Sequence, residues 1–231
     1  MAFLFPPSPP TTLPVQGNSL HFPVHRVYCV GRNYVEHAKE MGATGREPPF
    51  FFMKPADAVC YAGPDAALQW PYPSQSHDVH HEIELVVAIG LAGKDIPTHD
   101  AHRHIFGYAV GLDMTRRDLQ ADMKKQGRPW CIGKGFDRSA PVGSITPASL
   151  AGDIENAGIR LDINQAVRQQ GAISQLIWRV AETISQLSSA WELQAGDLIF
   201  TGTPAGVGPV AVGDTLHGHI AGLEDLVLHV V

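Results

Sequence analysis

The sequence predicts an α+β fold with a large β component, organised as a single catalytic domain. Three observations point there. Strand-like runs outnumber helical ones and do not alternate with them, which argues against a Rossmann-type sheet. At 231 residues the chain suits one hydrophobic core. The chain closes in three strand-like runs, 197–201, 215–220 and 226–231, separated by glycine turns.

In chain order, residues 1–24 read as a Pro-rich polar arm lying extended on or off the body, and residues 25–231 as the catalytic domain. Segment 26–31 (RVYCVG) is a β-type run closed by Gly31. Residues 33–41 suit a short helix ending at Gly42, and 42–49 (GATGREPP) a mobile loop, so the helix reads as a lid. Residues 50–53 form a strand stopped by Lys54-Pro55. Residues 81–89 (HEIELVVAI) begin in alternation and become continuously apolar, as a strand does on passing from a cleft into a core. Residues 108–112 are another apolar strand, running into Asp113. Thr115-x-x-Asp118 then has the spacing of a capping box for a helix reaching about Lys125. Residues 159–163 and the polar run beyond Asn164-Gln165 form a strand pair. From Ser174 the residues Ile177, Val180, Ala181, Ile184 and Leu187 recur at helical spacing.

Composition excludes several classes. With 44% hydrophobic residues and a net charge of −6, disorder is not the main state. The longest apolar stretch, 85–92, falls far short of the ~20 residues of a membrane-crossing helix. The opening MAFLFPPSPP lacks the positive n-region of a signal peptide. Cys29, Cys60 and Cys131 are odd in number and widely spaced, unlike a disulfide framework or a zinc-thiolate site. No basic tract offers a nucleic-acid surface. The expectation is a soluble cytoplasmic protein, binding neither nucleic acid nor membrane and able to take a small molecule.

Glu82 and Glu84 are two apart on a predicted strand, so both carboxylates share a face. Like charges so placed repel, and solvent, basic partners or a cation must offset them. Asp113 follows an apolar strand directly, where a core strand delivers a side chain to a cleft. Three carboxylates from two strand ends make an all-oxygen site suited to Mg²⁺ or Mn²⁺. Two alternatives stand beside it: a solvated strand face, and a mixed zinc site using His80 or His81. His37 and Glu40, three apart on a helix, would bring a carboxylate against an imidazole and let the pair take a proton from water; the plainer alternative is a surface helix of mixed charge. Lys134 sits between glycines and Lys54 after FFFM, positions where few lysines occur unless they point at something. Arg116, Arg117 and Gln120 open the helix after Asp113. The loop 201–209 (TGTPAGVGP) could hold a carboxylate on its backbone N–H groups, but lacks the Gly-Lys-Ser/Thr of a phosphate loop.

Taken together, VGRNYVEHAKEMG, FFMKP, HHEIELVVAIG, GYAVGLDMTRRDLQ, GRPWCIGKGFD, SAPVG and GDLIFTGTPAGVGPV resemble the fumarylacetoacetate hydrolase family in order and spacing, over residues 25–231. The single-domain form, PPFFFMKPADAV and DMTRRDLQ most resemble the fumarylpyruvate-cleaving members of gentisate (aromatic) catabolism. The resemblance implies a mixed β-roll, a homodimer, and Mg²⁺ or Mn²⁺ held by Glu82, Glu84 and Asp113. It implies a water-activating dyad of His37 and Glu40 on the lid, and Lys134 beside the bound oxyanion. Arg32, Arg117, Gln120 and Thr203 would meet substrate oxygens. Two departures are Gly133, where relatives often carry alanine, and the acidic Glu224-Asp225 of the last turn.

The implied activity is metal-dependent hydrolysis of a C–C bond in a 2,4-diketo acid, fumarylpyruvate giving fumarate and pyruvate. Acylpyruvate cleavage, oxaloacetate decarboxylation and isomerisation or decarboxylation of 2-hydroxyhepta-2,4-diene-1,7-dioate would use the same site. A silent binding protein on this scaffold would be expected to lose one of His37, Glu40, Glu82, Glu84, Asp113 or Lys134, and all six are present. A distal substrate carboxylate needs a cation, for which Arg46, Arg128 and Lys54 are the sequence candidates.

Overall fold

The computed structural model describes residues 3–34, 46–65 and 67–231. Its Pro-rich beginning does more than extend along the surface. Thr12–Val15 (β1) pairs antiparallel with Asn18–Pro23 (β2), turning at Gly17 with φ +70°. Leu13, Val15 and Phe22 are buried and join a core cluster with the main sheet. Composition pointed to a loose arm because three alternating apolar residues suffice to dock a hairpin, and prolines tolerate its edge.

The main sheet has eight strands among the described residues. Its order is β4 (Phe50–Lys54), β3 (Val27–Gly31), β15 (Leu198–Phe200), β8 (Ile83–Ile89), β9 (Ile105–Leu112), β11 (Ala140–Val142) and β5 (Val59–Tyr61), with β12 (Thr146–Pro147) also on β9. A second sheet runs β14 (Ala166–Ala172), β13 (Gly158–Ile163), β17 (Thr215–Ile220), β18 (Leu226–Val230) and β6 (Leu68–Trp70). A short ribbon joins β10 (Thr115–Arg116), β7 (Val79–His81) and β16 (Gly208–Pro209). Parallel pairs (β3–β15, β5–β11, β6–β18) mix with antiparallel ones. The described α-helices are α1 (Arg117–Lys125), α2 (Cys131–Lys134) and α3 (Val180–Ala190). This is the expected β-rich single domain with few helices.

Strand β8 explains its own sequence. Ile83, Leu85, Val87 and Ile89 enter the larger core cluster, while Val86 and Ala88 enter the cluster that includes the hairpin. A strand covered on both faces must be apolar throughout, and each such side chain contributes ~1.5–3 kcal/mol on burial. Glu84 lies on the Val86 face and is buried with it.

Two expectations change locally, and a third falls largely outside the described residues. The helix expected from Ser174 starts at Val180, because Asn33 holds Trp178 extended: Trp178 N donates to Asn33 Oδ1 (2.8 Å) and Asn33 Nδ2 to Trp178 O (3.0 Å). The Thr115–Asp118 capping box does not form. Thr115 belongs to β10 with its hydroxyl turned to Asp113 O (3.1 Å), and Asp118 instead accepts from Ser76 Oγ (2.7 Å) and His77 N (3.0 Å). The helix expected over 33–41 falls, beyond Tyr34, outside the described residues. Asp225, unexplained in the sequence, is gripped by His217 Nε2 (2.7 Å) and His219 Nδ1 (2.6 Å) from β17.

Because Leu13 is wholly buried in the cluster beneath the hairpin, Leu13→Ala is expected to cost about 2–5 kcal/mol of unfolding free energy in urea titrations. A loss below ~0.5 kcal/mol, the size of a surface substitution, would detach the hairpin from the core.

Candidate active site

The ladder between β8 and β9 builds the centre of the site. Ile83 pairs with Leu112 and Glu84 with Gly111, and one step further Asp113 N donates to Glu82 O at 2.9 Å. Side chains alternate along this ladder, so Glu82 and Glu84 share a face, as their spacing predicts, and Asp113 just past the end of β9 joins them on it. Gly111 opposite Glu84 has no room for a side chain: a Cβ would stand 2.4 Å from Val86 Cγ2. One oxygen from each carboxylate lies within 4.8 Å of the others, and all three residues are buried.

Charges so confined repel and resist desolvation, and the surroundings answer with cations. Lys134, at the end of α2, places Nζ 2.9 Å from Glu82 and 2.6 Å from Asp113. Burial alone would lower its pKa, but Asp113 and Glu82 outweigh that and raise it, so the ammonium stays charged. Lys54 ends β4 with Nζ 2.8 Å from Asp113, and also donates to the carbonyl of Lys134. Arg117 reaches Glu82 at 2.5 Å and donates to Gln120 Oε1 at 2.7 Å. Glu84 accepts from Gly202 N at 2.6 Å. The glycine loop thus does hold a carboxylate on its backbone, and the carboxylate is the protein's own. Burial first, then Asp113 and Glu82, push the Glu84 carboxyl well above its ordinary pKa.

The other expected residues fall around this centre. Gln120 is buried under α2, where Gly133 leaves no space for alanine: a Cβ would lie 2.9 Å from Gln120 Cβ and 3.0 Å from its Cα. Thr203 lines the cleft, and its Oγ1 accepts from Gln169 Nε2 (2.8 Å), which leaves the hydroxyl proton for a ligand. Arg32 also lines the cleft, in the left-handed region at φ +57°. His37 and Glu40 lie outside the described residues.

Sequence reading missed Gln169. Its Oε1 accepts from Ile83 N (3.0 Å) and from His81 Nδ1 (2.9 Å), while its Nε2 also donates to Pro204 O (2.8 Å). One buried amide therefore fixes the start of β8 and the loop carrying Thr203. Burial lowers the pKa of His81, keeping it neutral in this role. His80 bonds Asp78 at 2.8 Å. The acidic group among the described residues contains no histidine, so the mixed zinc alternative finds no support. The signal for Gln169 was faint: a glutamine at a buried position of an otherwise polar strand.

A β-rich roll carrying a buried carboxylate triad ringed by lysine and arginine defines an enzyme-type acidic centre. Residues 26–231 match the model of the fumarylacetoacetate (FAA) hydrolase C-terminal domain, and the chain belongs to that family. Its members are enzymes of several activities. The structure is similar to the crystal structure of fumarylpyruvate hydrolase from Pseudomonas aeruginosa in complex with Mn²⁺ and pyruvate, at 55% identity and TM-score 0.97 over 100% of this chain and 99% of that one. It is 42% identical over 202 residues, 87% of this chain and 90% of the relative, to oxaloacetate tautomerase YcgM of Escherichia coli K12. The 5-carboxymethyl-2-hydroxymuconate delta-isomerase of Mycobacterium smegmatis is 35% identical with TM-score 0.79, over 91% of this chain and 80% of that one.

The donor set fits a divalent metal: among the described residues it offers three hard oxygens without sulfur or imidazole, and burial with two carboxylate neighbours holds the Glu84 pKa well above its ordinary value. A cation at 100 times its dissociation constant should stabilise the wild type by about 2.7 kcal/mol, raising Tm, and Glu84→Gln should abolish that rise. Since the metal-free Glu84 binds a proton too readily, metal uptake must expel it. Mn²⁺ affinity is therefore expected to rise with pH, with calorimetry in buffers of different ionisation enthalpy registering proton release. Affinity indifferent to pH between 5 and 7 would contradict this reading.

Proposed function

We propose that the protein hydrolyses a C–C bond in a 2,4-diketo acid, fumarylpyruvate giving fumarate and pyruvate. The observation that carries this is the carboxylate triad with Lys134, set in a chain that aligns end to end with a fumarylpyruvate hydrolase holding Mn²⁺ and pyruvate. Mg²⁺ or Mn²⁺ held by Glu82, Glu84 and Asp113 would act as a Lewis acid toward the carboxylate and 2-oxo group of the substrate. Lys134, kept protonated by its carboxylate neighbours, offsets negative charge developing on the 2-oxo oxygen. Arg117, Gln120, Thr203 and Arg32 hold the remaining substrate oxygens. His37, oriented by Glu40, takes a proton from the water that attacks the distal carbonyl. The bond between that carbonyl carbon and the adjacent methylene breaks, its electron pair staying with the methylene as pyruvate enolate. A proton then returns to carbon, and fumarate and pyruvate leave.

A second reading is oxaloacetate tautomerisation, favoured by the tautomerase relatives. It uses the same 2-oxo acid head but moves only a proton between carbon and oxygen. We also infer a homodimer in the cytoplasm. Strand β4 ends the main sheet with Phe50 and Met53 exposed, and exposed Ile132 adds to this apolar surface. A second copy would cover it, and light scattering at micromolar concentration should give twice the chain mass.

Metal-stripped protein should cleave fumarylpyruvate, followed by its ultraviolet absorbance, only after Mg²⁺ or Mn²⁺ is restored. His37→Ala should lower kcat by ~10²–10⁴-fold. Rapid enol–keto conversion of oxaloacetate with no loss of fumarylpyruvate would replace the hydrolase reading by the second.

A further inference from the structure

Among the described residues, the cleft is lined by more cations than pair with its carboxylates. Lys134, Lys54 and Arg117 are each within ion-pair distance of Glu82 or Asp113. Two further cations line the same cleft without a carboxylate partner among the described residues: Lys124 and Arg32. Lys124 stands on the face of α1 that carries Arg117 and Gln120, the spacing that brings helical residues to one side. Its ammonium lies 5.0 Å over the ring of Trp130, at the cleft's edge. Arg32 Nε is buried with no hydrogen-bond partner among the described residues, and its backbone is held in a left-handed conformation costly for a residue other than glycine. Burial, then Arg117 and Arg32, lower the Lys124 pKa against the opposing pull of Glu82, as expected where cations crowd together. Half-buried like charges of this kind are stabilised by an arriving anion.

The cations suggested by sequence for a distal carboxylate are placed elsewhere. Lys54 is wholly buried against Asp113. Arg46 pairs with Glu182 and stacks 4.4 Å over Trp178. Arg128 lines not the cleft itself but an adjoining cavity that shares Phe50, Phe52, Trp130 and Lys134 with it.

We propose that Lys124, with Arg32, forms a subsite for a second carboxylate remote from the 2-oxo acid head, making the cleft selective for dicarboxylates. The proposal rests on the reading that the cleft binds a 2-oxo acid at its acidic end. It goes further by assigning the end that separates a fumaryl from an acetyl substituent.

The test uses Mn²⁺-loaded protein and two non-cleavable ligands of equal length, 2-oxoheptanedioate and 2-oxoheptanoate, which differ in the terminal carboxylate. Wild type should bind the diacid about 10-fold or more tightly by calorimetry, the scale of a charge-assisted pair. Lys124→Gln should remove that preference while leaving 2-oxoheptanoate affinity unchanged, and Lys124→Arg should keep most of it. A wild type without the preference, a Lys124→Gln variant that retains it, or one that weakens both ligands alike overturns the subsite. Binding of neither ligand overturns it as well. Fumarylpyruvate turnover on the same preparations reports separately on the hydrolase reading. A Lys124-dependent diacid preference in protein that does not cleave would sink that reading and leave the subsite standing.

Discussion

Three carboxylates leave the end of one antiparallel ladder into a buried space, and much of the surrounding structure answers the electrostatic problem this creates. An isolated buried carboxylate is strongly disfavoured, and three together repel as well. The protein draws positive groups from four separate places: Lys54 from the end of β4, Arg117 from the start of α1, Lys134 from α2 and the amide of Gly202 from the glycine loop. Each of these segments is held where it is partly by that attraction. The neutralisation is incomplete at Glu84, whose charged form is favoured by the Gly202 amide and less by Lys134, and which still resists ionisation. That is the position at which a divalent cation would relieve the most strain.

The fold makes such a site affordable by keeping its frame apolar. Strand β8 is covered on both faces, so Glu84 is held by Val86, Ala88 and their neighbours and has little freedom to retreat toward water. Gly111 lets the ladder stay tight opposite Glu84, and Gly133 lets α2 lie directly on Gln120. In both places a methyl group would move a ligand-bearing element by a few tenths of an ångström or more. Rigid support of this kind is what a catalytic centre requires, because misplacement of an ångström is felt strongly in rate.

The central site was legible in the sequence, because period two on a strand is a strong rule and places Glu82 and Glu84 together without knowledge of the rest. Asp113 was legible from the apolar run before it. Strands such as Thr215–Ile220 were read to the residue, where alternation is clean and turns are marked by glycine. Other features depend on contacts made far along the chain. The hairpin of β1 and β2 needs the main sheet to bury Leu13, and Trp178 is held out of a helix by Asn33, 145 residues away. Thr115 and Asp118 had the right spacing for a capping box, but a buried acidic neighbour and the loop at Ser76 offered stronger partners. Gln169 left only a faint trace because its importance comes from joining β8 to the glycine loop, a long-range role that its local pattern barely records.

The arrangement separates two tasks that a family of shared chemistry must solve. On the proposed function, the acidic end with a bound divalent cation and Lys134 would favour negative charge on a 2-oxo acid head, and cleavage, tautomerisation and isomerisation would all pass through such charge. Nothing in that half distinguishes a long substrate from a short one. Discrimination would come from groups that the head does not engage, and in this cleft those are Lys124 and Arg32, the cations without a carboxylate partner among the described residues. A site built to pair a buried charge rejects an analogue lacking its partner far more strongly than a hydrophobic wall rejects a missing methylene. Placing the surplus positive charge at the open edge, on a different turn of α1 from Arg117, therefore lets selectivity change by substitution at the edge while the carboxylate triad and its counter-cations remain intact.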